Sequence, residues 1–335
     1  MRLIISILLV FASLAFAQTD RGTITGTVTD PAGAVVANAP LELRGAETGV
    51  AYQGVTSATG NYTFGQLPLG TYQLTVTAAG FKTYLRQNIR VQAALTLGVD
   101  IPLEIGSQAE SVTVTAEVSL LKTESSDVTT NVGTATLNTL PILPIGNGFS
   151  SSHGVRNPMA MSRLAPGTFL DPNLNIKVNG APSNTTSVRV DRQDATNGVV
   201  QFSQAQTQPS VEALEELTLQ SSNYAAEFGQ AGLGLFNYTT KSGSNAYNGS
   251  LYENNANEAY NATQPFTRNK TVVRQNNFGV SMGGPISIPK IYNGRDWTFW
   301  FFNFEAFKEL GTIDNQFPTV PTAANADNQC AAAAF

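Results

Sequence analysis

A chain of 335 residues with only 13% charged side chains, rich in Thr, Asn, Gln, Ser, Gly and aromatics, favours strands and turns over long helices and has room for two or three domains. Its formal charge of -5, without any Lys/Arg cluster, argues against nucleic-acid binding, which needs basic side chains gathered on one surface. Cys330 is the only cysteine, so no intrachain disulfide forms and stability must come from packing.

At the N-terminus, Arg2 precedes an apolar run from Leu3 to Phe16, and Ala15-Phe16-Ala17 supplies small residues at -3 and -1 of a cleavage position between Ala17 and Gln18. The run is shorter than the ~20 residues of a membrane-spanning helix. It reads as an export signal, and because Gln rather than Cys follows, no lipid anchor is expected. Intact-mass analysis of envelope material is expected to find a chain beginning at Gln18; an exported form that keeps Met1 would overturn this.

From Gly22 to Ile105 short alternating runs are cut by turn signals. GTITGTVTD places Ile24 and Val28 on a strand, and Asp30-Pro31-Ala32-Gly33 has the residues of a β-turn. In TYQLTVTA, Tyr72, Leu74 and Val76 fall on one face and Thr71, Gln73, Thr75 and Thr77 on the other, the period of a half-buried strand. A series of such strands predicts a β-sandwich of about 85 residues. Next comes a polar stretch, GSQAESVTVTAEVSLLKTESS, which reads as a linker holding one extended segment, Ser111 to Glu117.

Further along, a short helix is predicted from Thr134 to Leu140, stopped by Pro141. Leu143 to Asn175, rich in Pro, Gly, Ser and Asn, reads as loop. Ile176 to Gly180 and Ser187 to Val190 read as two short strands around a turn. Ser210 is placed as the N-cap of a helix reaching Glu216, with Glu212 in its first turn. Glu216 to Gln220 and Gly232 to Lys241 read as strands, and Asn223 to Gly229 as a loop. Beyond Ser242 the runs SNAYNGSLYENN, RQNNFGVSMGGPIS and DWTFWFFNFEAFKEL predict long aromatic-rich strands. Trp297, Phe299, Trp300, Phe301, Phe302 and Phe304 would be an aggregation hazard in a soluble edge strand but suit a lipid-facing wall.

Two resemblances follow from these residues. DPAGAVVANAPLEL with ATGNYTFGQLPLGTYQLTVTAAGF resembles the carboxypeptidase-regulatory-like domain, a transthyretin-like sandwich with a carbohydrate-binding-like fold; the name implies a fold and not a peptidase. The collinear order of that sandwich, SVTVTAE, NYAAEFGQAGLG, NYTTKSGSNAYNGSLYE and RQNNFGVSMGGPI resembles the N-terminal part of an Oar-like TonB-dependent outer-membrane receptor. The resemblance implies a mainly β chain with an export signal at 1–17, the sandwich at 18–105 and a linker at 106–125. A small α+β plug follows at 126–242, then the first strands of an incomplete transmembrane β-barrel at 243–311 and a loop or truncated tail at 312–335. Within the linker, Ser111, Val112, Thr113, Val114, Thr115, Ala116 and Glu117 match the TonB box, where a TonB-like energy-transducing protein adds a strand and pulls on the plug; the same residues also read as a last strand of the sandwich. Outer-membrane lipid and an unidentified external ligand, carbohydrate or peptide, are the other implied partners.

The chain departs from that family twice. Arg192 stands after Asp191 where the family's Leu-Asp-Gly motif has Gly, and only about three or four barrel strands are present where such barrels have about 22. The expectation is therefore a truncated receptor that cannot transport alone.

Enzyme chemistry finds little support. His153 is the only histidine and no G-x-S-x-G elbow occurs, so neither a His-rich zinc site nor a Ser-His-Asp hydrolase is built. Asp191, Asp194 and Asn197 lack EF-hand spacing and read as turn residues, and Met159 and Met161 as incidental loop residues. No catalytic, cofactor or metal residue is expected. A secreted or surface-attached sandwich for binding or adhesion, without transport, is the alternative to the receptor.

Overall fold

The computed structural model describes residues 21–107, 110–114, 126–139, 158–170, 176–182, 185–196, 209–224, 228, 232–260, 262 and 273–311. The export signal, its Ala17–Gln18 cleavage position, His153, Asn197, Thr115 to Glu117 and Cys330 lie outside them.

The first body contains β1 (Gly22–Thr29), β2 (Pro40–Gly45), β3 (Ala51–Val55), β4 (Asn61–Leu67), β5 (Gly70–Val76), β6 (Thr83–Val91), β7 (Thr96–Gly98), β8 (Ile101–Pro102) and β9 (Ser111–Val114). One sheet runs β3-β2-β5-β6-β9; the other runs β4-β1-β7, with β8 also on β1. The predicted alternation holds: Ile24 and Val28 of β1 and Tyr72, Leu74 and Val76 of β5 all point into one core with Leu41, Leu43, Ile89, Ile101 and Leu103. Each such Leu or Ile stabilises the sandwich by roughly 1.5–3 kcal/mol. Asp30 builds the turn after β1, its Oδ1 accepting from the backbone N–H of Ala32 at 2.9 Å and of Ala34 at 2.8 Å.

The second body is the five-stranded sheet β10-β15-β16-β13-β14. Its strands are β10 (Val128–Gly133), β13 (Ser187–Val190), β14 (Gln193–Asp194), β15 (Leu214–Ser222) and β16 (Leu235–Thr240), and a hairpin of β11 (Thr168–Leu170) and β12 (Ile176–Val178) packs beside it. Helix α1 (Thr134–Thr139) forms where predicted, and the Thr134 hydroxyl ties its start to the carbonyls of Leu214 at 3.0 Å and Glu215 at 2.8 Å.

Three local readings are corrected here. Ser210 caps as predicted, its Oγ accepting from Ala213 N–H at 3.2 Å, but the helix is a single 3₁₀ turn, Val211–Ala213, because β15 claims the residues from Leu214 for cross-strand pairing. The supposed loop before Asn175 holds a 3₁₀ helix, Pro158–Leu164, and β11, because buried Met161 and Ala165 join the core of this body and override the local turn composition. Lastly, β12 and β13 do not pair with each other: β12 pairs with β11, and β13 pairs with β14 and, in parallel, with β16.

The third body is an antiparallel sheet of β17 (Asn248–Asn257), β18 (Val273–Pro285) and β21 (Phe299–Gly311), 10, 13 and 13 residues long, with a small β19 (Ser287–Ile288) and β20 (Tyr292–Asn293) hairpin between the last two. Tilted strands of about 9–11 residues cross a bilayer.

Candidate functional site: a plug against an inside-out wall

The wall carries its apolar side chains outward. Leu251, Phe278, Met282, Phe302, Phe304 and Leu310 are exposed, while Gln275, Asn277 and Ser281 on the opposite face are buried. In a water-soluble sheet the order would be reversed; lipid outside and a polar interior explain it. The aromatic run at Trp297 to Phe304 is therefore not lipid-facing throughout. Alternation turns Trp300, Phe302 and Phe304 outward and Phe299 and Phe301 to the polar side, while Trp297 precedes the strand. Tyr247, Tyr292 and Trp297 are exposed beside the Pro285–Phe299 end of the sheet, the position of an aromatic girdle.

A carboxylate organises the polar face. Glu305 accepts from the Tyr252 hydroxyl at 2.6 Å and from Asn277 Nδ2 at 2.8 Å, linking all three strands. Gly279 lies between Tyr252 and Glu305 in register, and a Cβ there would come within 2.4 Å of the Tyr252 hydroxyl and 2.5 Å of the Phe304 carbonyl, so only glycine lets Tyr252 reach across. On the same face Ser210, the cap of the 3₁₀ turn in the second body, donates to Asn303 Oδ1 at 3.0 Å. The second body thus touches the polar side of the wall through this turn, the side on which a plug lies.

The chain crosses from plug to wall through the Ser242-Gly243-Ser244-Asn245 turn, where Asn245 fastens the wall to the sandwich. Its N–H donates to Glu47 O at 3.1 Å and its Nδ2 to Thr48 O at 2.7 Å, both in the sandwich. Asp296, before β21, is bonded twice: Asn245 Nδ2 donates to its Oδ1 at 2.6 Å and its N–H donates to Asn245 Oδ1 at 2.9 Å. Gly49, with φ +72, leaves the necessary space, since a Cβ would lie 2.1 Å from Asp296 Oδ1. Sandwich and plug meet where buried Glu216 accepts from Ala93 N–H at 3.1 Å. Sequence reading missed Asn245, Glu216 and Glu305, because each acts across a junction that no local pattern encodes.

Asp191 and Asp194 shape the β13–β14 hairpin. Asp191 accepts from Thr240 N–H at 2.9 Å and from its hydroxyl at 2.8 Å, locking the end of β16. Partial desolvation pushes the Asp194 carboxyl up, but bonds from Thr196 and the Arg189 charge outweigh it and hold it below the usual carboxylate range. Among the described residues no group of three His, Cys, Asp or Glu side chains could hold a metal ion. Asp191 and Arg192 have φ of 48° and 68°, a two-residue turn with both φ positive, which is why glycine would suit position 192. Arg192→Gly is expected to raise stability by about 0.5–1 kcal/mol by removing left-handed strain. Denaturant unfolding of the full-length receptor refolded in detergent checks it, and a lowered midpoint would show that the Arg192 side chain matters more than its backbone.

Of the predicted docking segment, Ser111 to Val114 form β9, parallel to β6 with Thr83, Tyr84, Leu85 and Arg86 opposite Ser111, Val112, Thr113 and Val114. Val114 packs on the sandwich core.

Comparison with known proteins agrees with this architecture. Residues 23–104 match the family described as carboxypeptidase regulatory-like domain, and residues 239–333 the family described as outer membrane beta barrel domain. Over 309 residues, 88% of the chain, it is 30% identical to the TonB-dependent transporter Oar of Myxococcus xanthus, and it spans 27% of that relative's length. Solved structures give weaker likeness. The siderophore receptor PirA from Pseudomonas aeruginosa has 18% identity over 48% of this chain and 24% of its own, with a TM-score of 0.34. Catechol 1,2-dioxygenase from Acinetobacter sp. ADP1 has 12% identity over 30% of this chain and 60% of its own, with a TM-score of 0.23. Neither score supports an argument about function. The sandwich match, the barrel-domain match and the long collinear relative make the chain similar to part of an Oar-like TonB-dependent receptor, with a domain of the outer-membrane β-barrel kind.

Proposed function

We propose that this chain provides the sandwich (18–105), the linker (106–125), the plug (126–242) and the first wall strands (243–311) of a receptor that takes up an external ligand when a TonB-like protein pulls on Ser111 to Glu117. The observation that carries the reading is the wall turned inside out, with its polar Asn277 and Glu305 face toward the plug and its Phe302 and Phe304 face outward. Catalysis has no part in it: the residues at the junctions are bonded to one another as fasteners, and the work is mechanical. A pull that reaches the plug must break short polar contacts such as Ser210 to Asn303 rather than peel apart an apolar core.

Removal of residues 111–117 from the full-length receptor is expected to abolish binding of the soluble part of the TonB-like protein, while the receptor still sediments with the outer membrane. A deletion variant that binds undiminished would refute the docking site. A full-length product found only in soluble fractions would refute the receptor and favour the secreted sandwich.

A further inference from the structure

The segment proposed to dock a TonB-like protein is already in use as β9, and resting on that proposal we infer that the sandwich holds its own docking strand in store: the β6 edge and the pulling partner compete for Ser111 to Val114. The store is built for that stretch. Thr83 N–H donates to Glu110 O at 2.8 Å to open the pairing, and Lys82 reaches both Glu104 at 3.3 Å and Glu110 at 3.7 Å, pinning the chain that leads into β9. Pairing runs only from Thr83 to Arg86, and further along β6 Asn88 turns through a φ of 59°, away from an extended edge.

Two features make the strand removable. The sandwich core is assembled from Ile24 through Leu103, and β9 adds only the partly buried Val114 to it, so the sandwich stays folded when β9 leaves. In addition β9 is the last strand of its sheet, four residues long and held in parallel, the weaker ladder. One feature makes it unusable while stored. Strand addition takes its specificity from side chains on alternate positions. Here Val112 and Val114 are half-buried on the sandwich side, and only Ser111 and Thr113 are exposed. A partner that reads the valines needs the strand released, so its apparent affinity is reduced by the fraction of time the strand is free.

A disulfide lock tests this in the full-length receptor. Leu85 and Thr113 face each other in register on adjacent strands, a spacing of about 4.8 Å that a disulfide bridges. With Cys330→Ser, the pair Leu85→Cys/Thr113→Cys is oxidised or reduced and titrated with the soluble part of the TonB-like protein. Binding is expected to be at least roughly tenfold weaker when oxidised. Thr83→Pro, which deletes the N–H bonded to Glu110 at a position outside the β5 pairing, is expected to tighten binding several-fold. Equal affinity of oxidised and reduced forms, failure of the pair to oxidise, or weaker binding by Thr83→Pro would each overturn the store while leaving the docking site intact. Absence of binding in every form, the unsubstituted receptor included, would remove the docking site and the store together.

Discussion

Phe304→Arg is expected to cost the receptor about 2–4 kcal/mol of membrane insertion, roughly a 30- to 700-fold shift toward the unfolded form. Phe304 lies near the middle of β21, opposite Val280, and its exposed ring points outward between those of Trp300, Phe302 and the Lys308 side of the strand. A charge placed there meets hydrocarbon near the bilayer midplane, where no protein group can solvate it. Ser250→Arg, on the polar face where Ser250 and Ser281 share a 2.8 Å hydrogen bond, should cost within about 1 kcal/mol. The fraction of heat-modifiable protein after refolding into lipid separates the two. Equal losses at both positions would mean that the sheet does not face lipid. The same outward face leads to the expectation that residues 18–335 produced alone bind detergent or aggregate, since among the described residues β17 and β21 are also open edges of their sheet.

What the sequence made legible was set by period. Alternation in TYQLTVTA placed β5, and the length and aromatic richness of the three C-terminal runs placed β17, β18 and β21. The inside-out character of the wall was harder to see, since alternation says that two faces differ and not which solvent each meets; clustered aromatics suggested lipid, but only pairing showed which of them face it. In the plug the reading was weaker. β11 carries only three residues in a turn-rich stretch, so its composition pointed to loop, whereas β12 was read as a strand but with β13 rather than β11 beside it. The junction residues left no local trace at all. Asn245 reads as one more turn asparagine until Thr48 and Asp296 are seen beside it, and SVTVTAE reads equally as a docking strand or a sandwich strand because β9 has the composition of both.

Gly26→Ala is expected to destabilise the sandwich by about 3 kcal/mol and to lower its melting temperature by roughly 12–24 °C. Gly26 lies in β1 opposite Tyr62, and an added Cβ would come within 2.0 Å of the Val99 carbonyl oxygen and 2.6 Å of its carbon. Neither side can yield cheaply. Val99 N–H donates to Thr25 O at 2.7 Å, which pins that backbone to β1, and the Val99 carbonyl accepts from the buried Tyr62 hydroxyl at 2.6 Å. Moving Val99 away therefore adds the cost of a buried hydroxyl without a partner to the cost of overpacking. Gly65→Ala in β4 is the control: nothing lies within 4 Å of its added Cβ and its φ is not positive, so it should be neutral or raise stability by a few tenths of a kcal/mol. Thermal unfolding of residues 20–114, which contain the whole sandwich core, measures both. A Gly26→Ala segment that melts within a few degrees of the parent would show that β7 and β8 are not held against β1 as tightly as their hydrogen bonds imply.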